Sequence, residues 1–341
     1  MATGITNFGD ISPRTEAYVV KDFLEVGAPY VVFEPFCQTT TVPRGTGQNA
    51  IFRRYNPLDP TPKALTEGVT PSASKPTKTD VTASVSQIGD REVLTDVIID
   101  THEDPVLKIQ TERLGQQAAE MLERIRFGKF KAGTNVEFAN GDTREEVNTK
   151  YSLSMQRKMT RTIKRNRGKK ITRMLRSTAA YGTKAVDASF IGVVHTDMET
   201  DIREMEGFIP AKDYGQIAPY PNEIGAVEDV RYLTTDICEP WEDAGGAKGL
   251  MLSTSGIKAD VYPVLIIGAD ALGTVALKGY AGKNNDGKMK AISPVDVMVV
   301  NPKPSDSDPM AQRGHIAWKT WTTACILQDL WFCRGEVACT D

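Results

Sequence analysis

Arg44-Gly45-Thr46-Gly47-Gln48-Asn49-Ala50 carries the G-x-G-x-x-A spacing by which glycines let backbone amides approach a pyrophosphate, the chemistry of a nucleotide-cofactor oxidoreductase. That loop works only after a strand, before a helix, and with an acid about 20 residues on. Here a strand-like run ending Arg53-Arg54-Tyr55 follows instead, so a turn or hairpin is the preferred reading. His102-Glu103-Asp104 and His195-x-Asp197 each offer two metal ligands, and His315 stands alone. None makes an H-E-x-x-H or a Cys/His set, so surface or capping roles are expected. Cys325, Cys333 and Cys339 are spaced by eight and six residues, too far apart for a zinc ribbon; with Cys37 and Cys238 they read as buried structural thiols. Asp197/Asp201 and Glu145/Glu146 are spaced for a solvated helix face rather than the unequal, burial-tuned pair of a glycosidase.

One local charge signal stands out. From Arg157 to Arg173 the chain carries Arg157, Lys158, Arg161, Lys164, Arg165, Arg167, Lys169, Lys170 and Arg173 with no acidic residue among them. Such a run is either a solvated helix face, paired with an acidic stretch such as Asp197–Glu206, or a weak electrostatic contact with nucleic acid or a neighbouring acidic patch. Arg157, Lys158, Arg161, Lys164, Arg165 and Lys169 are the candidates for that contact. No aromatic residues interleave to stack on bases.

The elements that position these residues come from a chain of 341 residues with 40% hydrophobic and 25% charged content. These values suit a globular chain of more than one packed subdomain, stable without metals or disulfides. A net charge of −3 argues against a protein that wraps nucleic acid tightly. Five cysteines without a C-x-x-C, a start lacking basic and apolar leader regions, and no long apolar run point to a reducing cytoplasm and no membrane span.

Ser12-Pro13 opens a short helix to about Val26, and Tyr30–Phe33 reads as a strand. Residues 48–55 and 80–88 are strand-like. In the second, Val81, Ala83 and Val85 alternate with Thr82, Ser84 and Ser86. Pro57, Pro60, Pro62, Pro71 and Pro76 between them exclude a helix, which leaves an extended hairpin that must lie on something. Asp104 and Pro105 start a long helix with an apolar stripe of Leu107, Leu114, Ala118, Met121, Leu122 and Ile125, ending at Gly128. Residues 143–176 are helix-like, as is Asp197–Glu206. Val230–Leu233, Val264–Ile267 and Val297–Val300 are strands, Ala259–Leu277 resembles strand, turn and helix, and His315–Val337 is a β-prone tail rich in tryptophan. The class is α+β with a protruding arm, a protruding hairpin and one long helix.

Thr41–Gly47 into Phe52–Tyr55, Leu65–Gly68, Gly89–Asp96, Asn222–Gly225 to Val230–Tyr232, Ile267–Ala271 and Asp308–Gly314 with Trp318–Trp321 together resemble the major capsid proteins of tailed bacteriophages. The resemblance is to the large-virion podovirus type with the Hong Kong 97 capsid fold, and it runs almost end to end. It departs at His195-Thr196-Asp197, where that family look places a proline after the histidine.

The resemblance implies an N-terminal arm over 1–50, an E-loop hairpin over 51–90 and a peripheral domain over 91–185 with a spine helix at 104–127. An axial domain over 186–310 and a C-terminal return of 311–341 to the peripheral domain complete it. It implies self-assembly into pentamers and hexamers of an icosahedral shell around double-stranded DNA, held non-specifically, in a virion capsid assembled in the host bacterial cytoplasm. The implied inter-subunit contacts are Phe52, Arg53, Arg54, Tyr55, Leu65, Glu67 and Arg91. A separate scaffolding protein, a portal and a decoration protein would be partners; no catalysis, cofactor, metal or membrane is expected. No long helical N-terminal extension and no selectable lysine–asparagine–glutamate crosslinking set can be read. The alternatives are an encapsulin-like shell enclosing enzymes, an oxidoreductase using the Gly45–Ala50 loop, and a nucleic-acid-binding protein built on the 157–173 helix. Titration with a nicotinamide dinucleotide, followed by tryptophan fluorescence, is expected to give no saturable change; saturable quenching would restore the oxidoreductase.

Overall fold

The computed structural model describes residues 30–42, 45–62, 64, 67, 68, 70, 73–97, 106–171, 188–214, 219–277, 295–300, 304 and 309–341. The arm helix expected near 13–26, the Asp104-Pro105 helix start, His102, Leu65 and Arg173 lie outside them.

The long helix forms as expected and runs further. Helix α1 (Val106–Phe130) has 25 residues and spans roughly 37 Å at about 1.5 Å per residue. It passes through Gly128 because Phe130 is fully buried, edge-on to Phe33 with ring centroids 5.6 Å apart. Aromatic burial outweighs the roughly 1 kcal/mol that a mid-helix glycine costs. The turn closes at Gly133, whose amide donates to the Phe130 carbonyl.

Two sheets share this helix. A five-stranded sheet contains β1 (Gln38–Val42), β4 (Ser86–Thr95), β11 (Leu272–Leu277), β12 (Asp296–Val300) and β13 (Arg313–Ile326). Strand β13 is its axis. Both β4 and β12 pair antiparallel with His315–Lys319, so they flank it on opposite edges, while β11 takes its C-terminal part and carries β1 in parallel. Leu114 and Ala118 of α1 close this sheet's core against Leu94, Val297, Ile316 and Trp318. Gly89 is required where β4 crosses β13: a Cβ there would meet the Trp318 carbonyl oxygen at 2.3 Å.

The second sheet has seven strands in the order β5 (Val136–Phe138), β14 (Phe332–Val337), β10 (Tyr262–Ile267), β6 (Phe190–His195), β9 (Val230–Thr235), β8 (Glu223–Val227) and β7 (Phe208–Pro210). On one face Met155, Met159 and Ile163 of α2 (Leu153–Arg165) pack against Phe190, Val264 and Ile266. On the other, Ile191, Val193, Leu265 and Ile267 meet Phe127, Phe130 and Phe33. Covering both faces is why all six residues of β10 are buried and why its sequence is a continuous apolar run rather than an alternation.

Several local expectations change. The helix over 143–176 shrinks to α2, with Ser152 accepting from the Met155 amide at its start. It stops where Arg167 adopts φ 61° and the Gly168 amide returns to Ile163. Leu272–Leu277 is a strand, not a helix, because β1 and β13 pair with both of its edges. Tyr30–Phe33 is not a strand, since the Phe33 amide donates to the Glu123 carboxylate, 2.9 Å away, instead of to a ladder. The tail divides: β13 enters the five-stranded sheet, but β14 pairs with β10 and β5 in the other. No described helix is long and apolar enough to cross a membrane.

Glu123 fastens the arm base to α1. It is fully buried, and Arg126, which contacts it, also reaches Glu34 at 2.8 Å. Burial pushes the Glu123 carboxyl up, and Arg126 together with the Phe33 amide opposes that rise. Glu123→Ala, which leaves the Phe33 amide unpaired and Arg126 with Glu34 alone, is expected to cost about 2 kcal/mol in chemical denaturation; a loss well under 1 kcal/mol would show the cluster to be dispensable.

Candidate functional site

The hairpin is built by β2 (Asn49–Tyr55) and β3 (Lys78–Ser84), paired antiparallel with Ala50 opposite Ala83 and Phe52 opposite Val81. This register puts Ala50, Phe52, Ala83 and Val85 on one face, against Val42 and Val275 of the body. The other face points away. Ile51 is 60% exposed, Tyr55 68% and, just beyond the strand, Leu58 59%. Arg53 and Asp80 join across the outer face at 2.9 Å, and Arg53's hydrogen bond holds the Asp80 carboxyl below the ordinary carboxylate range. Between the strands, residues 56–62 and 73–77 form no regular element, as the prolines require.

Of the expected contact residues, Arg53, Tyr55, Glu67 and Arg91 are exposed. Phe52 is a correction: side chains alternate along a strand, and in this register it faces inward and anchors the hairpin to its own subunit. Arg54 lies half-buried over the Trp331 ring, 5.5 Å from its centroid, lining a cleft of about 400 Å³ under the hairpin root. Arg91 sits on β4, in a different sheet from Arg53–Tyr55. Ile51, Leu58 and Val93 are further exposed apolar side chains that the sequence reading did not single out, the last 52% exposed. Ile51 was legible in principle, since a residue between two inward ones must point outward.

The glycine loop opens directly onto β2, with Gly45 and Gly47 at φ 83° and 107°. With no helix after it, the loop cannot aim a helix terminus at a pyrophosphate. His195 is a cap: its Nδ1 accepts from the Asp197 amide at 3.2 Å, starting the turn at Thr196–Met198 without the expected proline. Cys37, Cys238, Cys333 and Cys339 are buried and Cys325 is half-buried. Burial pushes Cys333 and Cys339 up to about 12 and Cys325 to about 11, the opposite of an activated nucleophile. No group of three or more His, Cys, Asp or Glu among the described residues is placed to hold a metal.

The basic segment separates into two sets. Arg157 pairs with Glu228 at 2.5 Å, Lys158 with Glu137 at 2.6 Å, Lys170 with Asp229 at 2.6 Å, and Lys164 also contacts Asp229. These partners lie on β5 and in the β8–β9 turn rather than in Asp197–Glu206. Arg161, Arg165, Arg167 and Lys169 are exposed, and no ion pair holds them among the described residues.

No known family model and no curated protein matches this sequence. The architecture does match solved structures along nearly its whole length. The capsid of Ralstonia phage GP4 aligns with a TM-score of 0.62 at 11% identity, covering 91% of this chain and 92% of that one. The head structure of Helicobacter pylori bacteriophage KHP40 gives 0.59 at 10% identity, covering 91% of each chain. The cyanophage Pam1 capsid gives 0.58 at 10% identity, covering 92% of each. The chain has the fold of phage capsid proteins. The Hong Kong 97 type implied by the sequence resemblance is therefore borne out as a fold, with the hairpin, α1 and both sheets as its described parts.

In this capsid fold α2 is clamped to the seven-stranded sheet through Asp229. Hydrogen bonds from Lys164 and Lys170 hold the Asp229 carboxyl below its ordinary value. A depressed carboxyl stabilises the fold above the unfolded-state value, and that stabilisation is lost as pH falls through the folded-state value. Asp229→Asn is therefore expected to cost no more than about 1 kcal/mol at neutral pH, with the gap to the parent closing on acidification; a gap independent of pH would refute the clamp.

Proposed function

We propose that this protein is the major capsid protein of a tailed phage, a subunit that assembles into pentamers and hexamers of an icosahedral shell around a double-stranded DNA genome. The observation that carries the reading is the match to phage capsid structures over about nine-tenths of both chains, 91% and 92% for the Ralstonia phage. The hairpin supports it from the subunit's own physics. A two-stranded sheet has two faces and two open edges, and among the described residues only one face of this one is covered by its own body. Burying Ile51, Tyr55 and Leu58 on a neighbouring copy would contribute on the order of 1.5–3 kcal/mol for each fully buried side chain, less the cost of association. Modest contacts suffice, because a subunit held by several neighbours is bound multivalently. Heterologous contacts that close around an axis make rings.

On this reading 1–50 is the arm, 51–90 the E-loop and 91–185 the peripheral domain on its spine helix. Residues 186–310 form the axial domain and 311–341 the return. Because α2, β5 and β14 pack with the seven-stranded sheet, the axial unit recruits part of 131–171 and β14, while β11 and β12, paired with β13 in the five-stranded sheet, go with the peripheral domain. Assembly takes place in the host cytoplasm with a separate scaffolding protein, and a portal and decoration proteins complete the virion. An encapsulin-like shell has a different content, enzymes instead of a genome, and mass spectrometry of purified particles separates the two.

Two outcomes are expected from electron microscopy of the full-length chain, expressed with and without a scaffolding protein. The parent chain forms closed, regular shells under at least one condition. Ile51→Asp with Tyr55→Asp keeps the parent's melting behaviour, since neither side chain is buried within the subunit, but yields no closed particles. Shells formed equally well by that variant would remove the hairpin face from the assembly mechanism.

A further inference from the structure

The basic segment poses a question of charge. From Arg157 to Lys170 it presents eight cations, and the structure opposes them with three carboxylates, Glu137, Glu228 and Asp229. A local positive excess thus stands on a chain whose net charge is −3. Arg161 and Arg165 lie four apart on α2, and like charges at that spacing disfavour a helix by roughly 0.2–0.5 kcal/mol. Arg165 stands in the last turn, where a cation suits the helix dipole, but among the described residues no carboxylate pairs with either arginine. Arg167 and Lys169 follow the helix end as two further exposed cations, and Arg157, Lys158 and Arg161 line a shallow concavity of about 410 Å³ with Ser152 and Ser154.

The complementary surface on a second copy would be the acidic stretch 197–206, but four of its five carboxylates are occupied at home. Asp197 accepts from the Tyr262 hydroxyl at 2.8 Å and Asp201 from the Thr340 amide at 3.0 Å. Glu199 pairs with Arg203 at 2.5 Å and Glu204 with Lys150 at 2.9 Å. Among the described residues no carboxylate of this chain pairs with Arg161, Arg165, Arg167 or Lys169, which leaves them open to an anion from outside the subunit. Three of the four unpaired cations are arginines, whose planar forks suit the paired oxygens of a phosphate.

We propose that the exposed face of α2 and its following turn, through Arg161, Arg165, Arg167 and Lys169, is a sequence-independent contact for the phosphate backbone of duplex DNA. This deepens the capsid reading, on which it rests for the identity of the polyanion, by naming the surface that faces the genome. The contact is deliberately limited: a few phosphates per subunit, multiplied over a shell, hold DNA without trapping it.

The test uses the full-length chain and a short duplex of arbitrary sequence, titrated by fluorescence anisotropy across a salt series. The parent should bind with log affinity falling linearly in log salt. The triple variant R161Q/R165Q/K169Q should bind at least about tenfold more weakly at low salt, its slope reduced by about 0.9 for each lost contact. The control variant K129Q/K212Q/K258Q removes the same charge from exposed sites elsewhere and should keep the parent's affinity and slope. Equal losses in both variants would reduce the effect to net charge, and no loss in the first would overturn the assignment. If the triple variant binds duplex normally yet fails to form shells that the control forms, the face is an inter-subunit contact and the proposal is wrong. Absence of shells from the parent itself would count against the capsid reading alone, since the duplex titration needs no shell.

Discussion

A carboxylate with no access to water must find its donors inside the protein, and Glu123 finds them in the Phe33 amide and in Arg126, which reaches on to Glu34. That single cluster decides where the chain leaves the arm and joins the body. With Phe33 held on α1, Val32, Phe33 and Phe36 fill the space between the helix and the seven-stranded sheet. Strand β1 then starts at Gln38 in register with β11, which is itself paired to β13. The hairpin leaves a few residues later and inherits its position from this chain of contacts. A buried charge is a weak source of stability, but it disfavours alternative registers, because a slip of the arm would take the Phe33 amide from Glu123 and Glu34 from Arg126.

The body and the hairpin obey opposite accounting. In the centre of the seven-stranded sheet both faces are covered, by α2 on one side and by α1 with the arm base on the other. The hairpin has one covered face and one that presents Ile51, Tyr55 and Leu58 to solvent. Rigidity is concentrated in α1, whose middle packs on one sheet and whose end packs on the other. A stiff body with an incompletely satisfied extension suits a subunit that must make similar contacts in positions that are not identical.

Charge is distributed by the same logic. Most of the strongly charged stretches cancel within the subunit: four of the five carboxylates of 197–206 close on Arg203, Lys150, Tyr262 and Thr340, and half of the basic segment closes on Glu137, Glu228 and Asp229. What remains after that cancellation is a far more selective signal than the raw sequence run, because paired surface charges are screened and contribute little at a distance.

The sequence by itself determined the α+β class, the long helix, the hairpin strands and the β-rich tail. These depend on local period, proline density and side-chain volume, which the chain carries wherever it folds. It also exposed the weakness of the glycine loop, since the residues after it alternate as a strand does. Only the tertiary structure decided that Gly128 is passed over, that Leu272–Leu277 is a strand, that Phe52 faces inward while Ile51 faces out, and that the tail splits between two sheets. Each of these turns on a partner distant in sequence: Phe33 for Phe130, β1 and β13 for β11, Val42 and Val275 for Phe52, β10 for β14. The pairing of the basic segment belongs with them, because Glu137, Glu228 and Asp229 come from strands and turns that no spacing rule links to α2.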